Sequence, residues 1–267
     1  MTCTHNFMEG KVALVTGSTS GFGLGIANQL AAKGCSIILT GLGSQELIDS
    51  IVNDFKSKYT SRVDFVPVDL RTTESVQGFC DKVTSLYPNG VDILVNNAGT
   101  IYNAPVEELP LDKWNDVMTV SVTSPFLLIK HFLPGMKRKG WGRIINMSSQ
   151  MGVISLAGRS AYCASRSGLI GLSRCVALEA APYGITCNAI CPGFANAPMS
   201  HGLIRDYANK NNLTFDEAMQ VFVEKNNPTK KPVEINEICG LVEFLCSSSA
   251  CNMTGAPILV DAGFTSQ

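Results

Sequence analysis

The chain has 267 residues, 45% of them hydrophobic and 16% charged, with a formal net charge of −1. That composition supports a large buried core. The near-zero charge gives no electrostatic basis for binding nucleic acid or an anionic membrane, so neither is expected as a partner. Ten cysteines are scattered along it without a Cys-x-x-Cys pair. Cys187 and Cys191 come nearest, and no histidine cluster accompanies them, which argues against a metal site. Such thiols read as buried groups in a reducing compartment.

In chain order, short apolar runs alternate with segments of helical spacing. Strands are predicted at 12–16, 36–40, 63–68, 93–96, 142–147, 185–190 and 257–260. Helices are predicted at 23–33, 44–59, 73–87, 110–136, 161–181 and 233–247. This alternation implies a doubly wound α/β domain of the Rossmann type, with a seven-stranded parallel sheet and helices on both faces. No composition break divides the chain, so one domain spanning 1–267 is expected. Residues 195–231 interrupt the alternation with Pro198, Asn209, Asn211, Asn212 and Pro228, plus a helical piece near 215–223. Ligands of open α/β sheets sit beyond the carboxyl ends of the strands. An excursion after the sixth strand is therefore either a substrate lid or a surface insertion. No run of about 18 apolar residues suggests a membrane span. The strand pattern begins by about Lys11, which leaves no room for a signal peptide, and the expected location is cytoplasmic.

The first strand runs into Thr16-Gly17-Ser18-Thr19-Ser20-Gly21-Phe22-Gly23. Glycines at a strand-to-helix turn allow tight backbone geometry and close approach to a pyrophosphate, with the helix amides facing the phosphates. Asp69-Leu70 follows the third strand, Asn96-Asn97-Ala98-Gly99 the fourth, and Pro192-Gly193 the sixth. Ser149 ends the fifth strand segment, and Tyr162 lies thirteen residues beyond it. These ordered motifs cover nearly the whole chain and resemble the short-chain dehydrogenase/reductase family.

The resemblance implies a dinucleotide in the glycine turn, adenine near Asp69 and Leu70, nicotinamide against Pro192 and Gly193, and Asn97, Ala98 and Gly99 beside the cofactor. A phosphorylated ribose needs a cation nearby. Thr40-Gly41-Leu42-Gly43-Ser44 holds none, and position 20 is Ser20, so NAD is expected over NADP. The reaction implied is hydride transfer between a carbonyl and an alcohol, with Tyr162 as acid/base and Ser149 as donor to the substrate oxygen. Two positions depart from the family pattern. Arg166 stands where a lysine completes Tyr-x-x-x-Lys, and Ser121 where an asparagine helps retain a relay water. Arg166 keeps the positive charge and can donate to ribose hydroxyls, but it does not release a proton near neutral pH. Two readings follow: a working oxidoreductase tuned by Arg166, or a repurposed member that binds a ligand and catalyses a non-redox reaction or none.

Within the family, residues 17–26, 142–146 and 188–193 are most similar to bacterial-type D-3-hydroxybutyrate dehydrogenases. Those enzymes hold a carboxylate with polar side chains at positions matching Ile101, Met151, Arg159 and Leu203. Three of these four are apolar here, and burying a carboxylate against them costs several kcal/mol. Arg159 either pairs with an acid or is a solvated surface charge. The substrate expected is larger or more apolar than hydroxybutyrate, among Ile101, Tyr102, Met151, Phe194 and Met199, unless that set is packing under the lid. The segment 255–263 resembles the family's last strand and its subunit contact, and with it a homotetramer is implied.

Overall fold

The computed structural model describes residues 8–266. The expected domain bounds of 1–267 therefore include residues 1–7 and Gln267, which lie outside the described residues. Seven strands, β1 (Val12–Val15), β2 (Ser36–Leu39), β3 (Val63–Phe65), β4 (Ile93–Asn96), β5 (Gly142–Met147), β6 (Ile185–Pro192) and β7 (Pro257–Val260), form one parallel sheet. Their spatial order is β3-β2-β1-β4-β5-β6-β7. The order reverses between β1 and β4, the crevice where such sheets take a dinucleotide.

Both faces of the sheet are covered, which is why its strands read as unbroken apolar runs. Ala13, Val15, Ile37, Leu39, Ile93 and Val95 point to one side and pack with α1 (Gly21–Ala32), α2 (Gln45–Lys58) and α9 (Ile235–Cys246). The intervening Leu14, Ile38 and Leu94 point to the other and meet α3 (Thr73–Leu86), α5 (Ser124–Lys139) and α6 (Ser160–Ala180). A side-chain period of two delivers alternate residues to opposite faces.

Two regions differ from the sequence expectation. The single helix at 110–136 is instead α4 (Leu111–Met118), a π-turn over Thr119–Thr123, and α5. The extra residue in that turn leaves the apolar period continuous, so sequence spacing does not show it. The whole stretch Leu111–Lys139 is long and apolar enough, by length and composition, to cross a membrane. Here it packs against α3, α6 and β5 as a core element. The excursion at 195–231 is more ordered than one helical piece: it holds α7 (Pro198–Asn211) and α8 (Phe215–Asn226). Pro198 sits in the first turn of α7, where a missing N–H costs nothing. Asn212 stops that helix in the left-handed conformation at φ 52°. Thr214 and Glu217 then form a reciprocal capping box that starts α8. Ile204, Ala208 and Ala218 give the pair its own small core, joined by Phe194, Tyr207 and Phe222.

Candidate active site

The glycine turn has the geometry its sequence requires. Gly17 and Gly21 adopt φ of 63° and 54°, and a Cβ on Gly23 would lie 2.2 Å from the Gly17 carbonyl. Ser20 precedes α1 without a side-chain cap, and no acidic residue occupies the first turn. The helix amides are thus left for an anion. The turn is tied to the β4 loop through Thr16, whose Oγ1 accepts the backbone N–H groups of Asn97 (2.9 Å) and Ala98 (3.0 Å). Asn97 Nδ2 returns bonds to the carbonyls of Thr16 (2.9 Å) and Gly17 (3.1 Å). Beyond β3, Arg71 donates to the Asp69 carboxylate through its side chain and its backbone N–H, and holds it down to about 2. Ser124 Oγ donates to the Leu70 carbonyl at 2.6 Å, which fixes that segment against α5.

Ser149, Tyr162 and Arg166 are all buried at the carboxyl end of β5 and the start of α6. Ser149 Oγ accepts from the Met151 N–H at 3.1 Å. Tyr162 and Arg166 are one helical turn apart and share a face. The Arg166 guanidinium carbon stands 4.8 Å from the Tyr162 ring centroid. Its Nη1 donates to the Met147 carbonyl at 2.8 Å. A Cβ on Gly99 would lie 2.1 Å from Nη2, so glycine there gives the guanidinium its place. Arg166 is 3% exposed, its Nε lacks a partner, and no carboxylate pairs with it among the described residues. A buried cation satisfied so sparsely is set to receive further acceptors. Ser121 lies in the π-turn, fully buried, with its Oγ unpartnered.

Behind these groups, Asn96 Nδ2 donates to Asn146 Oδ1 at 2.8 Å, and Asn146 Nδ2 to Ser173 Oγ at 2.8 Å. Ser148 Oγ donates to the Arg166 carbonyl at 2.9 Å. Strand ends and α6 are thereby held in one polar network. Gly193 follows β6 with its N–H on the Val260 carbonyl at 2.9 Å. A Cβ there would meet Asp261 Cα at 2.6 Å and Gln150 Oε1 at 2.8 Å.

Of the expected substrate-side residues, Ile101 and Met151 cluster with Tyr162, Cys163 and Ile154. Phe194 stacks on Phe222 at 5.5 Å and belongs to the small core of the α7–α8 pair. Tyr102, Met199 and Leu203 are exposed. Pro198, in the first turn of α7, sits 3.2 Å from where a Cβ on Gly21 would be, so α7 begins against the glycine turn. Arg159 lines a different feature, a groove of about 1210 Å³ with Asn103–Val106, Ser155–Gly158 and Cys163, which includes neither Ser149 nor Tyr162.

Residues 11–208 match the model of the short chain dehydrogenase family. The chain belongs to this family. It is 35% identical over 257 residues to D-beta-hydroxybutyrate dehydrogenase of Rhizobium meliloti, covering 96% of this chain and 99% of that one. It is 33% identical to 3-oxoacyl-(acyl-carrier-protein) reductase of Aquifex aeolicus, covering 96% and 98%. Among solved structures, L-sorbose reductase from Gluconobacter frateurii, complexed with NADPH and L-sorbose, superposes with a TM-score of 0.92 at 31% identity, over 97% and 98% of the two chains. As a short chain dehydrogenase the protein binds a nicotinamide cofactor and is an oxidoreductase interconverting a carbonyl and an alcohol.

The glycine cradle, the uncapped α1 and the sparsely bonded Arg166 fit that cofactor. Three contributors were not singled out from sequence. The Thr16 hydroxyl was signalled only by its place at the head of the glycine motif. The Met147 carbonyl carries no side-chain signal. Gln150 follows Ser149 directly, yet its burial, with Oε1 unpartnered, follows from the fold alone.

Proposed function

We propose that this enzyme is an NAD(H)-dependent dehydrogenase/reductase whose acid/base is Tyr162, with Ser149 donating to the substrate oxygen and Arg166 supplying a fixed positive charge. The observation that carries the reading is the buried Arg166 guanidinium, held by the Met147 carbonyl 4.8 Å from the Tyr162 ring and without a carboxylate among the described residues. The nicotinamide, when bound, supplies or takes the hydride. In reduction, the Tyr162 phenol gives its proton to the oxygen that gains charge; in oxidation it takes that proton back. Ser149 Oγ accepts from Met151, which leaves its O–H free to donate to the same oxygen. Arg166 lies over the Tyr162 ring and offers N–H groups to the ribose, but the proton leaves by a route that does not pass through it.

The same proposal places the phosphates on the turn formed by Gly17, Thr19, Ser20, Gly21, Phe22 and Gly23. Asp69 and Leu70 border the adenine; Asn97, Ala98, Gly99, Pro192 and Gly193 border the nicotinamide half. Ser121 contributes its backbone to the proton path. The substrate is larger or more apolar than 3-hydroxybutyrate and lies between the Ile101–Met151 cluster and the lid of residues 195–231. The enzyme works in the cytoplasm as a homotetramer.

Titration with NADH and NADPH, followed by nicotinamide fluorescence, tests the cofactor assignment. Tighter NADH binding supports it; binding of neither favours a repurposed pocket. A screen of apolar ketones and alcohols then tests the substrate class. High activity on 3-hydroxybutyrate with ordinary saturation would overturn the apolar assignment.

A further inference from the structure

The glycine turn is joined to the loop after β2 by a short zipper. Ser18 N–H donates to the Thr40 carbonyl at 2.8 Å. Ser18 Oγ donates to the same carbonyl at 3.1 Å and accepts the Thr40 N–H at 2.9 Å. One residue on, Thr19 Oγ1 donates to the Leu42 carbonyl at 2.8 Å. Gly41, between them, has no room for a side chain: its Cβ would lie 2.9 Å from Thr19 Oγ1 and 3.1 Å from Thr19 Cγ2. Its backbone φ is not in the left-handed range, so glycine is required here by the neighbouring threonine and not by conformation.

Position 41 lies about 20 residues past the glycine turn, where dinucleotide folds place the side chain that reads the adenosine ribose. In this chain Thr19 and Gly41 are a matched pair, and the pair leaves that position without a reader. The next anion-seeking group is the start of α2. It is already occupied: Ser44 Oγ accepts the Leu47 N–H at 3.3 Å, and Glu46 stands in the first turn. No Lys or Arg occurs in 17–23 or 40–46.

We propose that Thr19 is the specificity-determining residue at the ribose end of the cofactor: its bond to Leu42 closes the β2–α2 loop around an unphosphorylated ribose, beside a helix start already neutralised by Glu46. A 2′-phosphate meets a pinned loop without a Lys or Arg in 17–23 or 40–46, ahead of a helix whose first turn carries Glu46. Selection thus comes from loop closure, where a charged reader would otherwise act. The inference rests on the NAD assignment above.

The test is direct binding of NADH and NADPH to the folded protein, followed by nicotinamide fluorescence, with no turnover required. Wild type and Thr19→Ser, which keeps the hydroxyl, are expected to favour NADH by at least tenfold. Thr19→Val, which keeps the shape and removes the donor, is expected to lower that ratio at least fivefold. Gly41→Ala is expected to lower it as well, by driving Thr19 off Leu42. A Thr19→Val protein that melts like wild type and keeps the full NADH preference overturns the role of Thr19 while leaving the NAD assignment standing. A wild type that favours NADPH overturns both.

Discussion

Gly99→Ala probes the Arg166 site without replacing any ionisable group. The new methyl carbon would lie 2.1 Å from Arg166 Nη2, far inside contact distance. The guanidinium is the end of a long side chain, so it moves and the backbone stays. Moving it breaks the 2.8 Å bond to the Met147 carbonyl, a charged hydrogen bond of about 1.5–3 kcal/mol. It also loosens the 4.8 Å contact with the Tyr162 ring, a cation–π contact of about 0.5–2 kcal/mol. Rehydration of the displaced group offsets part of this, leaving a destabilisation of about 2 kcal/mol. For a chain of this size that lowers Tm by about 4–8 °C. If the same amount is lost from the transition state, kcat/KM falls about 30-fold. The decisive assay is a double-mutant cycle with Arg166→Lys, measured by denaturant unfolding. The shorter lysine leaves space for the methyl, so Gly99→Ala should cost at least about 1 kcal/mol less in that background. Equal costs in both backgrounds would refute the contact as the reason for glycine at position 99.

Other outcomes follow from the same structure. Arg166→Lys alone should raise turnover, by restoring a group that can pass a proton; loss of turnover with cofactor binding intact would mean that Arg166 serves a mechanism of its own. Thiol labelling at mildly alkaline pH should modify exposed Cys175 and Cys251 and spare Cys35 and Cys187, whose thiols burial pushes up to about 12; mass spectrometry of labelled peptides checks this. Burial raises the pKa of Asp261, but bonds from Thr265 (2.8 and 2.6 Å) and Gly263 (3.1 Å) outweigh it and leave the carboxyl below its usual range. A lowered carboxyl stabilises the fold above the unfolded-state value and loses that contribution as pH falls through the folded one. Acid unfolding of wild type should therefore show a steeper loss in that window than Asp261→Asn does; parallel curves would contradict it.

Much of the sheet was legible because parallel strands covered on both faces are continuous apolar runs. Ile93–Asn96, Gly142–Met147 and Pro257–Val260 lie where sequence placed them. The α7–α8 excursion was less legible because Pro198 and the asparagines after it are loop formers by composition. In the fold they act as helix punctuation, with Pro198 at a first turn and Asn212 at a left-handed stop. The π-turn at Thr119–Thr123 was invisible because one inserted residue does not break an apolar period. At the site, residue types could be read from motif order, whereas the partners could not. The Met147 carbonyl under Arg166, the space over Gly99 and the Thr19 bond to Leu42 all join segments distant in sequence.

In the proposed mechanism Tyr162 exchanges a proton with a substrate oxygen while NADH gives up its hydride. The most direct test mixes NADH with wild type and with Tyr162→Phe, offers each a panel of apolar ketones, and follows loss of the reduced nicotinamide. Wild type should consume NADH, and Tyr162→Phe should bind it with equal affinity yet consume it at least about 100-fold more slowly. Equal consumption by both proteins would contradict it.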